Sequence, residues 1–174
     1  MLSKKSESTQ VRCNCRKEPC PVGGDCGISG TTYRASVESE EPRNETKVMS
    51  YFGQTSRRFK QRYTEHKNSF STPQKILNRN GVPIQINEQI EEKKNRSELA
   101  NYVWELKQSK KKFKIHWEIW KKAFPYSNGQ KNCDLCAIEK TSISLSDPTT
   151  TLNSRNEIYH KCRQKTKFKL SNFL

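Results

Sequence analysis

A run of four closely spaced cysteines, CNCRKEPCPVGGDC, constrains this chain more than any other feature of its sequence. It places Cys13, Cys15, Cys20 and Cys26 in a stretch with almost no apolar side chains, so a hydrophobic core of its own cannot order it. Cross-links have to do so instead. Pro and Gly between the cysteines permit the tight turns that gather thiolates around a tetrahedral zinc ion, and residues 13–28 read as a zinc knuckle. Disulfides would need an oxidising compartment, and the total of seven cysteines is odd. Unmetallated thiols are the remaining reading. Farther along, Cys133 and Cys136 form a CxxC, and Cys162 follows near the end.

Composition narrows the class. Hydrophobic residues make up 31% of the chain and charged residues 29%, which allows one small core with much of the chain solvated. The 33 Lys and Arg against 18 Asp and Glu leave a formal charge of +15. An excess of this size repels itself in a compact state and fits a polyanionic partner. Nucleic acid comes first, because each Lys or Arg near a phosphate releases condensed counterions. Solubility alone is the plainer reading. No apolar run approaches the ~20 residues needed to cross a bilayer, so no membrane partner is expected. The opening MLSKKSESTQVR lacks the apolar stretch of a secretory signal, and the expectation is an intracellular protein with reduced thiols.

Residues 1–12 read as a polar, disordered lead-in. After the cysteines, TTYRASV (Thr31–Val37) predicts a strand, and KVMSYFG, beyond the polar loop ESEEPRNET, predicts a second one. Together they make an antiparallel hairpin. Ser56 opens a helix, SRRFKQRYTEHKNS, with Phe59 and Tyr63 four residues apart on its buried face. Residues 69–94, rich in Pro, Gly, Asn, Gln and Lys, read as a long insertion. Asn95 and Glu98 offer a capping box for a helix with Leu99, Val103 and Leu106 on one stripe. In KFKIHWEIW, Phe113, Ile115, Trp117 and Ile119 alternate with Lys114, His116 and Glu118, the pattern of a half-buried strand. A turn at FPYSNGQ leads to a helix from about Asn132 to Leu145, stopped before Pro148. The tail from Ser154 is basic and partly helical. The order β-β-α-(insert)-α-β-α predicts an α+β domain on a small three-stranded, mainly antiparallel sheet flanked by helices.

Phosphodiester hydrolysis needs a group that activates water, a cation beside the phosphoryl oxygens and usually a divalent metal. The hairpin can bring Tyr33 and Tyr51 together, and Arg62 and His66, four apart, project from one helix face. Glu139, one of few acids in a basic setting, is a carboxylate suited to a hard ion such as Mg²⁺. Taken singly, strand tyrosines usually pack, an Arg/His pair is usually a solvated face, and a lone helical Glu usually has no role. Their order and context weigh the other way.

In that order the chain resembles the GIY-YIG endonucleases. TTY (Thr31–Tyr33) stands where GIY would, and YFG (Tyr51–Gly53) stands for YIG. The segment YFGQTSRRFKQRYTEH combines the G-x-T, the aromatic and the R-x-x-x-H of that family. CDLCAIEK, with Glu139 after the CxxC, is similar to the form carried at the C-terminal end of Penelope-like retroelement polyproteins, and TLNSRNE brings Asn153 to the family's Asn position. The N-terminal cysteine run resembles what precedes the nuclease in those elements. The similarity spans roughly residues 13–170, with 29–170 as the nuclease-like domain.

The resemblance implies a DNA endonuclease that nicks its target to prime reverse transcription. Glu139 would hold Mg²⁺ or Mn²⁺, and Arg62 would neutralise charge on the phosphoryl oxygens. Tyr33 or Tyr51 would orient or deprotonate water, His66 would position that water or a tyrosine, and Asn153 would shape the site. The implied partners are DNA, with RNA as a second candidate, and a reverse transcriptase domain on the same or a parent polyprotein. The implied location is nuclear. Thr31 and Thr32 replace Gly and Ile of the first motif, and Phe52 replaces Ile of the second. After Glu139 the helix reads KTSISLS, more polar than the family's pattern. The family's second cysteine group ends in C-x-H, whereas Gln164 stands here in the His place. His160 is then the candidate fourth ligand beside Cys133, Cys136 and Cys162 in a second zinc site, with simple buried thiols as the alternative. A catalytically inactive, zinc-stabilised nucleic-acid-binding module from a degraded element copy is the rival reading of the whole chain.

Overall fold

In the computed structural model the described residues are 13, 15, 19–42, 45–70, 97–124, 126, 130–162 and 164. Strand β1 (Thr31–Glu40) lies at the centre of a three-stranded sheet, between β2 (Thr46–Thr55) and β3 (Phe113–Lys122), and pairs antiparallel with both. Helices α1 (Phe59–Phe70), α2 (Glu98–Gln108) and α3 (Asp134–Leu145) complete an α+β arrangement preceded by the cysteine cluster. No described helix is long and apolar enough to cross a membrane.

The alternation of β1 explains the layering. Thr31, Tyr33, Ala35, Val37 and Ser39 are buried on one face, where Tyr51 of β2, Phe59 of α1, and Leu99, Val103 and Leu106 of α2 join them in one core. The side chains of β3 named by the alternating pattern, Phe113, Ile115, Trp117 and Ile119, pack against this core and stay half-buried. Cys26 is also a member of the core, and Cys13, Cys15 and Cys20 pack against it. Cys26 therefore anchors the cysteine-rich segment to the core of the sheet domain, and the Phe59 N–H donating to the Ile28 carbonyl at 2.8 Å ties it to the start of α1.

Several boundaries moved. Strand β1 runs to Glu40 rather than ending at Val37, because the inward position after Val37 is taken by Ser39, small enough to be buried with its hydroxyl 3.4 Å from that of Tyr102. Helix α1 starts at Phe59, after the Thr55 hydroxyl has accepted the Arg57 N–H at 3.1 Å and turned the chain. The expected cap Asn95 lies outside the described residues, as do the lead-in 1–12, most of the insertion (71–94) and the turn residues Pro125, Asn128 and Gly129. Ser97 caps α2 instead, its hydroxyl accepting from the Ala100 N–H. The polar second half of α3 is held at its end by Arg155. That guanidinium donates to the carbonyls of Ile143, Ser144 and Ser146, groups that a helix C-terminus leaves without intrahelical donors. Ile143 is the buried apolar side chain of KTSISLS while Leu145 is exposed, and these hydrogen bonds fasten the end of the helix beside it. Of the tail expected to be partly helical, Arg155–Tyr159 forms a 3₁₀ turn with a capping box between Ser154 and Glu157, and residues 165–174 lie outside the described residues.

Candidate active site and metal centres

Tyr33 and Tyr51 are diagonal neighbours on the core face of the hairpin, since Tyr33 lies opposite Gly53 and Tyr51 opposite Ala35. The Tyr33 ring lies directly over Gly53, and a Cβ there would come within 2.4 Å of the phenolic oxygen. Gly53 is thus required by close approach, and the YFG motif is legible as the gap that admits a ring from the next strand. Gly53→Ala is expected to push the ring out of place and lower stability by about 1–3 kcal/mol. A melting temperature within experimental error of wild type would count against the contact.

Helix α1 supplies the next two groups. The His66 Nε2 lies 2.8 Å from the Tyr33 hydroxyl, and the Arg62 Nε donates to the same oxygen at 3.0 Å. An arginine can only donate, so the phenol's own proton is satisfied by pointing to His66, whose Nε2 is then the acceptor. Electrostatics agree. Burial, followed by the Arg62 charge, lowers the His66 pKa to about 3 and keeps the imidazole neutral. Burial raises Tyr33 to about 12, against the pull of Arg62, and it also raises Tyr51. Glu65 sits 3.1 Å from Arg62 Nη1 and also pairs with Arg57. Burial opposes its ionisation, but the two arginines outweigh it and hold the carboxyl below its ordinary range.

His66 is buried, 2% exposed among Tyr33, Tyr51, Phe70 and Trp117, so it forms part of a cavity wall and not a solvated helix face. Its neutrality has a measurable consequence. An imidazole free to protonate near 6.5 when unfolded, but held neutral to about 3 in the fold, makes the unfolded state bind the extra proton in between. Stability contributed by His66 is complete above about 6.5 and should fall by about 1.4 kcal/mol per pH unit below it. Denaturant melts at pH 7, 6 and 5 should show this slope reduced in His66→Gln, and equal slopes in both proteins would refute it.

Tyr51, Arg62, His66 and Glu139 line one cavity of about 690 Å³. Tyr33, fully enclosed, stands behind its wall with its hydroxyl held by two of those four. Glu139 comes from α3 and accepts a 2.6 Å hydrogen bond from Gln54 of β2. Glu65, Glu98 and Glu157 also line the cavity, facing the basic groups Arg62, Lys140 and Lys161. One carboxylate, with substrate phosphate and water completing the shell, suits Mg²⁺ or Mn²⁺. Asn153 does not line the cavity. Its Oδ1 accepts the Phe52 N–H at 2.7 Å and its Nδ2 donates to the Phe52 carbonyl at 2.9 Å, so it grips the edge of β2 as another strand would. The segment before it does the same at Ser50, through the Thr150 carbonyl and the Leu152 N–H.

Compared with known protein families, with curated proteins and with solved structures, the chain matches none.

Two cysteine groups could hold a metal ion. In the first, the sulfurs of Cys13, Cys15, Cys20 and Cys26 lie within 4.8 Å of one another, with Cys15–Cys26 at 3.7 Å and Cys13–Cys26 at 3.5 Å. Four thiolates about 2.3 Å from a tetrahedral zinc stand roughly 3.8 Å apart, so the donor set fits. Gly23 and Gly24, at φ of 60° and 109°, allow the turn that closes it. Burial disfavours ionisation of Cys20, but the N–H groups of Val22, Gly24 and Cys26 aimed at its sulfur outweigh that and bring it to about 7. The second group holds Cys133, Cys136 and Cys162, with Cys136–Cys162 at 3.3 Å. His160 does not join it. It is exposed, and its carbonyl accepts from Lys140 at 2.7 Å. The backbone between His160 and Cys162 carries the two side chains apart: Cys162 points to the cysteines, while His160 borders the cavity.

Gln54, Glu65 and Glu157 were not singled out in the sequence. Gln54 is the unread middle of G-x-T, and Glu65 stands three residues after Arg62 on one helix face. Glu157 completes the S-x-x-E capping signature with Ser154, a signal that could have been read.

Proposed function

We propose that the chain is a metal-dependent DNA endonuclease of GIY-YIG type, nicking one strand in the manner of Penelope-like retroelements. The observation that carries this reading is the meeting of Tyr51, Arg62, His66 and Glu139 around one cavity, with Tyr33 hydrogen-bonded to two of them. These groups come from two strands and two helices, far apart in the chain.

Arg62 presents a fixed positive charge where phosphoryl oxygens would bind, braced by Glu65. The Arg62–Tyr33–His66 chain orients the phenolic oxygen and gives its proton a neutral acceptor. Glu139, steadied by Gln54, is the ligand for the hard ion. A divalent ion bound there would stabilise charge on the scissile phosphate and lower the pKa of nearby water and phenol. In a retroelement the nick would expose a 3′ hydroxyl for a reverse transcriptase domain on the same or a parent polyprotein, acting in the nucleus.

One observation favours a second reading, a zinc-stabilised nucleic-acid-binding module without catalysis. Burial raises the pKa of both tyrosines, and Tyr33 is fully enclosed, which suits a packing role. Nicking of supercoiled plasmid with Mg²⁺ or Mn²⁺, under conditions that retain zinc, separates the two. The nuclease reading expects metal-dependent relaxation that is abolished in Glu139→Gln. Binding without any nicking by the wild-type protein would establish the module instead.

A further inference from the structure

We propose that the sheet face opposite the core carries a stacking platform for an unpaired DNA strand, centred on Trp120. The pairing of β3 with β1 slips by one residue at this point. Thr32 lies opposite Lys121 and Tyr33 opposite Ile119, which leaves Trp120 as the extra residue of a bulge. By alternation along β3, Trp120 shares with Glu118 the face away from the core, and its indole is 40% exposed.

The exposed ring is held still. The Arg34 guanidinium lies 5.0 Å from its centroid, in cation–π range, and the edge of Phe52 meets it at 5.7 Å and 70°. Arg34 is itself braced by Glu118 at 2.6 Å. A flat aromatic surface fixed by neighbours loses little entropy when a base stacks on it. Beside it lies a cavity of about 550 Å³ between this face of the sheet and α3, with Phe52 and Ile138 among its apolar walls. That is room for a splayed base.

The occupant follows from charge and from shape. Lys121 and Lys122 follow Trp120 directly and are exposed, Phe124 beyond them is 78% exposed, and the chain carries +15 overall. An aromatic–basic–basic–x–aromatic ridge offers stacking to bases and counter-charge to the phosphates between them. A basic protein or a second copy of this chain would meet the same charge with repulsion. Base faces inside a duplex are already covered by their neighbours, so an unpaired strand offers its bases to the ring without the cost of unstacking. The choice of DNA over RNA rests on the function proposed above; the stacking does not.

The test is anisotropy of labelled oligo(dT), oligo(rU) and a duplex of equal length, titrated without divalent ions into wild type, Trp120→Ala and Trp120→Phe. Trp120→Ala is expected to weaken oligo(dT) binding about tenfold while duplex affinity stays unchanged. Trp120→Phe, which keeps a stacking face, should recover most of the loss and guards against misfolding. Equal losses for both DNA forms, or none, would overturn the platform. Tighter binding of oligo(rU) than of oligo(dT) would overturn the assignment to DNA. Self-association that disappears in Trp120→Ala would make the face a dimer contact and overturn it as well. Plasmid nicking by the same variants reports separately on the active-site reading, since Trp120 does not line that cavity.

Discussion

Arg62→Ala is expected to lower the single-turnover nicking rate by about 10²–10³-fold, with the fold intact. The side chain makes the two contacts on which the site depends: Nε to the Tyr33 hydroxyl at 3.0 Å and Nη1 to Glu65 at 3.1 Å. It also brings a permanent positive charge beside Tyr33 and His66, in a cavity that Lys140 and Lys161 line elsewhere. Its loss removes stabilisation of charge that grows only as the phosphodiester is attacked, so the rate should fall even at saturating DNA. The Tyr33 phenol keeps His66 as its acceptor, and Arg62 is 28% exposed at its side chain, so little of the core collapses. Arg62→Lys should recover only part of the rate, because a single ammonium cannot serve Tyr33 and Glu65 in the same fixed geometry. A variant that regains the wild-type rate at high DNA concentration would show that Arg62 contributes binding alone, and the assigned role would fail.

If Cys13, Cys15, Cys20 and Cys26 hold zinc, as their geometry suits, stripping it is expected to abolish cooperative unfolding of the whole domain. Cys26 is 1% exposed and shares a core with Tyr33, Phe59 and Leu99, so the group is not a detachable appendage. A structural zinc contributes on the order of 10–16 kcal/mol to folding where the apo site is unfolded. Native stability as a whole is about 5–15 kcal/mol. Removal should therefore leave a chain with little fixed side-chain packing. Cys26→Ser, or a strong chelator, should abolish the near-UV circular dichroism and the sharp thermal transition. Cys162→Ser should act more mildly, because that residue is half-buried in a separate cluster with Cys133 and Cys136. Metal analysis that finds no zinc, with melting unaffected by chelator, would return these sulfurs to the status of packed thiols.

The strands, helices and cysteine groups were readable because each depends on residues close together in the chain. Alternation over Phe113–Ile119 needs only neighbours two apart, and it located β3 almost to its first residue. The CxC and CxxC spacings likewise carry their own turns. A boundary slipped where a distant partner decided it, as Tyr102 did for Ser39, whereas the end of α3 at Leu145 was read correctly from the local sequence.

The candidate site divides along the same line. Which residues to suspect was a property of the sequence, from the order of the tyrosines, the Arg62–His66 spacing and the position of Glu139 after the CxxC. What each can do was decided by folding. His66 is neutral because Tyr33 and the core close over it, and Tyr33 can lie where it does because Gly53, twenty residues on, lacks a Cβ. Asn153 became a clamp on Phe52 rather than a cavity residue, and Gln54 became the support of Glu139. His160 turned away from the cysteines that spacing had grouped it with. Local sequence determines which groups are present and the periodicity that orients them. Burial, pKa and coordination depend on what approaches from elsewhere in the chain, and that is set only when the sheet and helices pack.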